Sequence, residues 1–119
     1  MTTPSRVTSE ELVSWSQNLP DVVLKEWKSY TNITFKGKGF AWVNHEEDRA
    51  MIKGTHAERE ALLATSPDVY EPGWETQSTA WVTVHLEHAD LEEVRELLEE
   101  AWRMTATKKA IAAYDARRV

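Results

Sequence analysis

Basic residues alternate with aromatic residues over one stretch of this chain, and this pattern has the clearest chemical meaning in the sequence. The stretch contains Lys25, Trp27, Lys28, Tyr30, Phe35, Lys36, Lys38, Phe40 and Trp42. Ammonium groups neutralise phosphates and aromatic rings stack on bases, so the set indicates nucleic-acid contact. Strand alternation gives a second interpretation, because it sends half of the aromatic rings into the core, where Phe and Trp usually lie.

A second group of basic residues lies at the C-terminus. Residues 102–119 carry five basic residues and one acidic residue, and the basic ones include Lys108, Lys109, Arg117 and Arg118. The whole chain has a net charge of −6, so the remaining 101 residues carry −10. The basic segment could be part of a polyanion-binding face, or it could be the solvated end of a helix.

Tryptophan is unusually frequent, with six copies in 119 residues. Trp27, Trp42, Trp74 and Trp81 are the candidates for an exposed aromatic surface. Tryptophan is enriched at binding hot spots, so this surface would suit a protein or a small molecule. Burial in the core is the alternative role for each ring.

Catalytic and metal-binding patterns are weak. The sequence contains no GxSxG, P-loop, GxGxxG or HExxH motif, and it has no cysteine. His85 and His88 are close in sequence, but strand alternation points them to opposite faces. The acidic residues from Glu92 to Glu100 are typical of a solvated helix face. We therefore expect a non-enzymatic protein with no cofactor and no metal.

The elements that position these residues follow from capping and alternation. Thr8, Thr55 and Asp90 each precede a glutamate by three residues, which predicts three helix starts. A fourth helix is predicted over 107–116. Strands are predicted at Val22–Trp27, Ile33–Lys36, Phe40–Asn44, Arg49–Lys53 and Ala80–Leu86, with a short one near Val69–Tyr70. This order predicts an α+β fold, a mostly antiparallel sheet with helices packed on one face.

The length of 119 residues indicates a single domain spanning 1–119. We expect residues 1–7 to be a flexible N-terminus, although Val7 is also placed to form a hydrophobic staple with Leu12, and residues 117–119 to be a basic tail. No run approaches the roughly 20 apolar residues of a membrane helix, and the N-terminus lacks the apolar core of a signal peptide. A cytoplasmic protein without a membrane partner is expected.

Several local patterns resemble a known family in their order and spacing. They are Leu19-Pro20-Asp21-Val22, residues 35–41 (FKGKGFA), Met51-Ile52-Lys53, residues 80–86 (AWVTVHL), residues 97–103 (LLEEAWR), Lys108-Lys109 and residues 113–116 (AYDA). Over residues 8–116 the sequence resembles the MmcQ/YjbR family of small bacterial proteins, in the branch common in actinobacteria. The resemblance implies a CyaY-like fold and a double-wing DNA-binding motif. Residues 77–80 (QSTA) depart from the family, since many relatives carry a basic residue there.

Three hypotheses follow. The first is a binding module for DNA, with weak and salt-dependent contacts from Lys25, Lys28, Lys36, Lys38, Lys108, Lys109, Arg117 and Arg118. The second is a protein or small-molecule binding domain that uses Trp27, Trp42, Trp74 and Trp81. The third, by analogy with frataxin-like folds, is an enzyme or metal-binding protein. A contiguous lysine ridge would favour DNA, and an exposed aromatic cleft flanked by carboxylates would favour the second.

Overall fold

The computed structural model describes residues 7–117. In chain order its helices and strands are α1 (Ser9–Ser16), β1 (Val22–Trp27), β2 (Tyr30–Phe35), β3 (Lys38–Asn44), β4 (Arg49–Ile52), α2 (His56–Thr65), β5 (Tyr70–Glu75), β6 (Ala80–His85), α3 (Leu91–Thr105) and α4 (Lys108–Arg117). A short 3-10 turn at Leu86–His88 joins β6 to α3. The three predicted caps are present: Thr8, Thr55 and Asp90 each accept a hydrogen bond from a backbone N–H three residues on.

The six strands form one sheet in the order β1-β2-β3-β4-β6-β5, and every neighbouring pair is antiparallel. Two-residue turns join β1 to β2 and β2 to β3. Lys28 (φ 56°) lies in the first turn, and Lys36 (φ 48°) and Gly37 (φ 95°) form the second. Consecutive positive φ angles define a hairpin turn whose twist matches that of the strands. The predicted α+β class is confirmed.

The core lies between one face of the sheet and the helices. Ile33, Val43, Ile52 and Val84 are at most 1% exposed and project from four adjacent strands. Apolar residues of all four helices pack against this layer. Burial of such side chains is worth about 1.5–3 kcal/mol each, so the helices stay on this face and leave the other open.

Some sequence-based boundaries differ from the structure. Val7 is 2% exposed and belongs to the core, as the staple with Leu12 requires, whereas the flexible terminus was expected to include it. Residues 1–6 lie outside the described range. The short strand predicted at Val69–Tyr70 is the longer β5, which contains Pro72 and Gly73. Among residues 7–117, no helix is long and apolar enough to cross a membrane.

Candidate binding groove on the open sheet face

The open face of the sheet is defined by strand register. Trp27 lies opposite Tyr30, and Trp42 lies opposite Met51. Directly opposed residues point to the same face, and these alternate with the core residues along each strand. Their side chains therefore lie on the face away from the helices.

Four aromatic side chains and one methionine on this face line an open cavity of about 370 Å³. We call this cavity the aromatic groove, and its lining residues are Trp27, Tyr30, Trp42, Met51 and Trp74. Trp27 is 63% exposed and Trp74 is 56% exposed, so two large apolar rings face solvent. Exposed apolar surface of this kind often marks a binding site.

Trp74 closes one side of the aromatic groove by packing across the sheet. Its ring lies 6.2 Å from the Trp42 ring at an interplanar angle of 76°, and 5.7 Å from the Trp81 ring at 67°. Such edge-to-face contacts are the favoured geometry for aromatic pairs. Three of the four tryptophans proposed from the sequence are thus in one contact chain, and the fourth, Trp27, lines the same groove.

Gly73 is the local cause of this arrangement. A Cβ atom at this position would lie 2.8 Å from the Trp81 carbonyl oxygen and 2.9 Å from the Met51 sulfur. Only glycine lets β5 approach so closely, and the pairing of β5 with β6 shifts register between Pro72 and Glu75. The shift in register places Trp74, the residue after Gly73, over the sheet.

A polar cavity of about 220 Å³ continues the aromatic groove at one end. It shares Tyr30, Trp42 and Met51 with the groove and adds polar side chains, among them Asn44, Glu47 and Arg49. Asn44 Nδ2 donates hydrogen bonds to Glu47 Oε2 (3.3 Å) and to the Tyr30 hydroxyl (3.4 Å). Arg49 Nη1 lies 3.9 Å from Glu47 Oε2. We call these three added residues the polar end of the groove.

A second carboxylate, Glu71, stands on the same face, opposite Thr83 in the sheet. Its Oε2 lies 2.7 Å from His85 Nε2. The groove is therefore flanked by carboxylates at the polar end and along β5.

The four candidate lysines of residues 25–38 do not form one ridge. Lys28 and Lys36 occupy the turns at opposite ends of β2, separated by six strand residues or roughly 20 Å. The Lys25 ammonium lies beside Gly37, 3.8 Å from where a Cβ would be, and Lys38 begins β3 next to that turn. Three lysines thus gather at the β2–β3 turn. Lys28 lies away from these three, at the groove end, with Nζ 4.6 Å from the Trp27 ring centroid.

The candidate cations at the C-terminus lie on α4. Lys108 and Lys109 are exposed in its first turn, and Arg117 is exposed at its end. Arg118 lies outside the described residues. The helix packs on α3 through Tyr114 against Trp102, with ring centroids 5.2 Å apart, and Trp102 in turn contacts Phe35. Phe35 precedes the β2–β3 turn, so α4 is at the same end of the molecule as that turn.

The α3–α4 contact also includes an ion pair. Arg103 Nη2 lies 2.5 Å from Asp115 Oδ1, and Arg103 Nε lies 3.8 Å from Glu99 Oε2. The hydrogen bond to Asp115 raises the pKa of the Arg103 guanidinium further above its ordinary value. One basic residue of the C-terminal segment is therefore engaged in holding α4.

The histidines discussed above have carboxylate neighbours. His85 contacts Glu71, and His88 Nε2 lies 3.5 Å from Glu87 Oε1. Within residues 7–117, no three His, Asp or Glu side chains are grouped closely enough to hold a metal ion.

Sequence reasoning missed several groove residues. Met51, Asn44, Glu47 and Arg49 were not assigned to the aromatic surface, and Tyr30 was considered only with the lysines. The available signal was the two-residue turn at residues 28–29. A turn of that length makes Trp27 and Tyr30 cross-strand partners, which puts both rings on one face.

The fold and the groove define a small α+β domain whose antiparallel sheet has one face covered by helices and one open. The YjbR family model matches residues 17–104, so the chain belongs to the YjbR family. The crystal structure of Deinococcus radiodurans protein DR2400, which contains a DUF419 domain, is similar with a TM-score of 0.73 and 22% sequence identity. The similarity covers 92% of this chain and 85% of that one, and it supports the fold. A comparison with curated proteins finds no match.

Proposed function

We propose that this protein is a binding module whose aromatic groove holds part of a small-molecule ligand against its aromatic rings. The observation that carries the proposal is the cavity of about 370 Å³ lined by Trp27, Tyr30, Trp42, Met51 and Trp74. Ligand pockets typically measure about 300–1,000 Å³, with mostly apolar walls and a few polar groups that orient the ligand. The polar end supplies such groups through Asn44, Glu47 and Arg49.

The energetics favour this use of the open face. Two indole rings that are more than half exposed leave apolar area in water, and a ligand that covers them recovers about 25 cal/mol for each Å² removed from solvent. The ring packing of Trp42, Trp74 and Trp81 also fixes the walls before a ligand arrives. A preformed site loses less conformational entropy on binding.

Ligand-observed NMR with a set of planar aromatic fragments, indole among them, tests this function. We expect several fragments to bind the wild-type chain and the same fragments to lose at least about tenfold in affinity with Trp27→Ala, because aromatic anchors dominate such sites. Trp15→Phe is the matched control, since Trp15 lies on α1 beside Arg95 and away from the groove. Fragments that bind both variants as well as wild type would contradict the proposal.

We propose DNA binding as a second candidate function, favoured by the cations at one end of the molecule. Lys25, Lys36 and Lys38 gather near the β2–β3 turn, and α4 with Lys108 and Lys109 lies at the same end. Family resemblance also implies DNA as a partner. The net charge of −6 opposes tight binding, because phosphate neutralisation supplies most of the affinity.

Fluorescence anisotropy with duplex and single-stranded DNA at two salt concentrations tests this second candidate. Binding through three lysines should weaken with salt, with a logarithmic slope of about −2 to −3. The variant Lys25→Gln/Lys36→Gln/Lys38→Gln should lose most of that slope, whereas Lys28→Gln should change it by at most about one. Absence of binding at low salt would eliminate this candidate.

A further inference from the structure

We infer that the aromatic groove selects a quaternary ammonium group carried by a small molecule. This inference rests on the proposed function and narrows it to one ligand class. The observation behind it is the combination of four aromatic rings in one groove, two of them at a steep angle to each other, a cation in contact with one ring, and carboxylates at the rim. Aromatic cages recognise quaternary ammonium groups, which lack N–H donors and so contact ring faces instead of forming hydrogen bonds.

The ring geometry fits such a group. Trp42 and Trp74 stand at 76° to each other with centroids 6.2 Å apart, so they present two walls of a corner. Trp27 and Tyr30, paired across β1 and β2, supply further walls. A roughly spherical group contacts several ring faces at once in such a corner, whereas a flat group can lie parallel to only one of two perpendicular rings.

The structure itself contains an ammonium on a groove ring. Lys28 Nζ lies 4.6 Å from the centroid of the Trp27 ring, within the roughly 6 Å range of a cation–π contact. Lys28 belongs to the turn that follows Trp27, and its side chain is exposed. The Trp27 ring therefore already has an ammonium group within cation–π distance.

The charges around the groove favour a cation over an anion. Glu46, Glu47 and Asp48 are consecutive in the β3–β4 turn at the polar end, and Glu71 stands on β5. The opposing cations at that end are Arg49, which is 3.9 Å from the Glu47 carboxylate, and Lys28 in the β1–β2 turn, whose Ser29 carbonyl accepts a hydrogen bond from the His45 N–H. Three carboxylates in the β3–β4 turn still outnumber these two cations. Lys25 is on the same face, but its ammonium lies beside Gly37 at the other end of the hairpin. The chain as a whole carries −6, which adds to the attraction at low salt.

The size of the groove favours a small molecule over a peptide. About 370 Å³ is near the lower limit for ligand sites, and the adjoining polar end adds about 220 Å³ with hydrogen-bonding groups from Asn44 and Glu47. A compound with a quaternary ammonium at one end and a hydroxyl at the other can place the ammonium against the rings and the hydroxyl toward the polar end, without filling either part. Choline has this composition and serves as the probe.

The experiment titrates the wild-type chain with choline and, separately, with 3,3-dimethylbutan-1-ol, its uncharged isostere, at constant ionic strength. Chemical shifts of the indole N–H groups of Trp27, Trp42 and Trp74 report occupancy. We expect choline to bind at least about fivefold more tightly than the isostere, which is the usual size of a cation–π preference. Equal affinities would overturn the inference, since the site would then recognise shape alone.

Two lysine variants separate charge from fold. Lys28→Gln removes a positive charge beside the groove and should strengthen choline binding about two- to threefold, whereas Lys36→Gln makes the same change roughly 20 Å away and should leave it nearly unchanged. Weaker choline binding by Lys28→Gln would overturn the inference. A trimethyl-lysine peptide that binds more than about tenfold more tightly than choline would overturn its small-molecule part.

The outcomes for the two proposals are distinguishable. If choline fails to bind while indole and related fragments shift the groove resonances, the aromatic groove remains a binding site and the quaternary ammonium inference fails. If neither choline nor any planar fragment shifts those resonances, both proposals fail together.

Discussion

The Trp74 indole on β5 packs edge to face against the Trp42 indole on β3, with 6.2 Å between ring centroids. In the sheet, β4 and β6 lie between these two strands. The edge strand therefore reaches back over the open face through a single side chain. The path of β5 is set by the residue before Trp74, so the shape of the groove depends on Gly73.

Gly73→Ala should destabilise the fold and loosen the groove. The new methyl group would meet the Trp81 carbonyl oxygen at 2.8 Å and the Met51 sulfur at 2.9 Å, and overpacking of this kind costs about 1–3 kcal/mol. Urea unfolding measures the loss. Gly54→Ala is the control, because its Cβ would meet no atom closer than 3.5 Å and should change stability by less than about 0.5 kcal/mol. Equal effects of the two variants would contradict the role given to Gly73.

Much of the fold could be predicted from sequence because its local signals agree with one another. In β6, Val82 and Val84 alternate with Trp81 and Thr83, and the burial follows that alternation. The strand β5 was harder, because Pro72 and Gly73 are depleted in strands and indicate a turn. Its pairing with β6 is decided by tertiary packing at the sheet edge.

The candidate groove could be predicted only in part. The four tryptophans were singled out by type, but their convergence depends on strand order and on the shift in β5–β6 pairing. No spacing in the sequence indicates that Trp74 lies near Trp42, because the contact crosses two other strands. The polar end was missed although Asn44, Glu47 and Arg49 are close in sequence, because its connection to the groove depends on the pairing of Asn44 with Tyr30.

Tyr70→Phe should change how stability depends on pH. Burial raises the pKa of the Tyr70 hydroxyl above its ordinary value of 10.0, and its hydrogen bond to Glu93 raises it further. Below pH 10 the protonated Tyr70 hydroxyl contributes fully to stability. Above pH 10 the unfolded chain loses a proton that the folded chain keeps, so Tyr70 lowers the free energy of unfolding by up to about 1.4 kcal/mol per pH unit.

Urea unfolding at pH 8, 10 and 11 checks this prediction. At pH 8 the variant should be about 1 kcal/mol less stable than wild type, because it lacks the hydrogen bond to Glu93. The difference should shrink as the pH rises above 10, since only the wild type loses the Tyr70 contribution. If the free energies of unfolding of wild type and variant changed in parallel from pH 8 to 11, the folded chain would not raise the pKa of the Tyr70 hydroxyl.

Trp102→Phe should be among the more damaging conservative substitutions. Trp102 is fully buried, its Nε1–H donates to the Pro20 carbonyl at 3.0 Å, and its ring contacts Phe35 and Tyr114. The smaller ring leaves a cavity and an unpaired carbonyl, for which we expect a loss of about 2–4 kcal/mol. Chemical denaturation provides the measurement, with an unchanged dependence on urea concentration as evidence that the fold is retained. A loss below about 1 kcal/mol would contradict this account of how α3 is anchored to the residues before β1.

Lys36→Asn should stabilise the protein while removing a candidate phosphate contact. Lys36 has φ 48° and precedes Gly37 at φ 95°, and Asn-Gly is the preferred pair for a hairpin turn with two positive φ angles. We expect a gain of about 0.5–1 kcal/mol in urea unfolding, because Asn tolerates the left-handed region better than Lys. Lys38→Asn removes the same charge within β3, where Asn is disfavoured, and should not stabilise. Because we expect Lys36→Asn to be more stable than wild type, a loss of its DNA affinity is then due to the lost charge. A Lys36→Asn variant that is less stable than wild type would contradict the turn geometry.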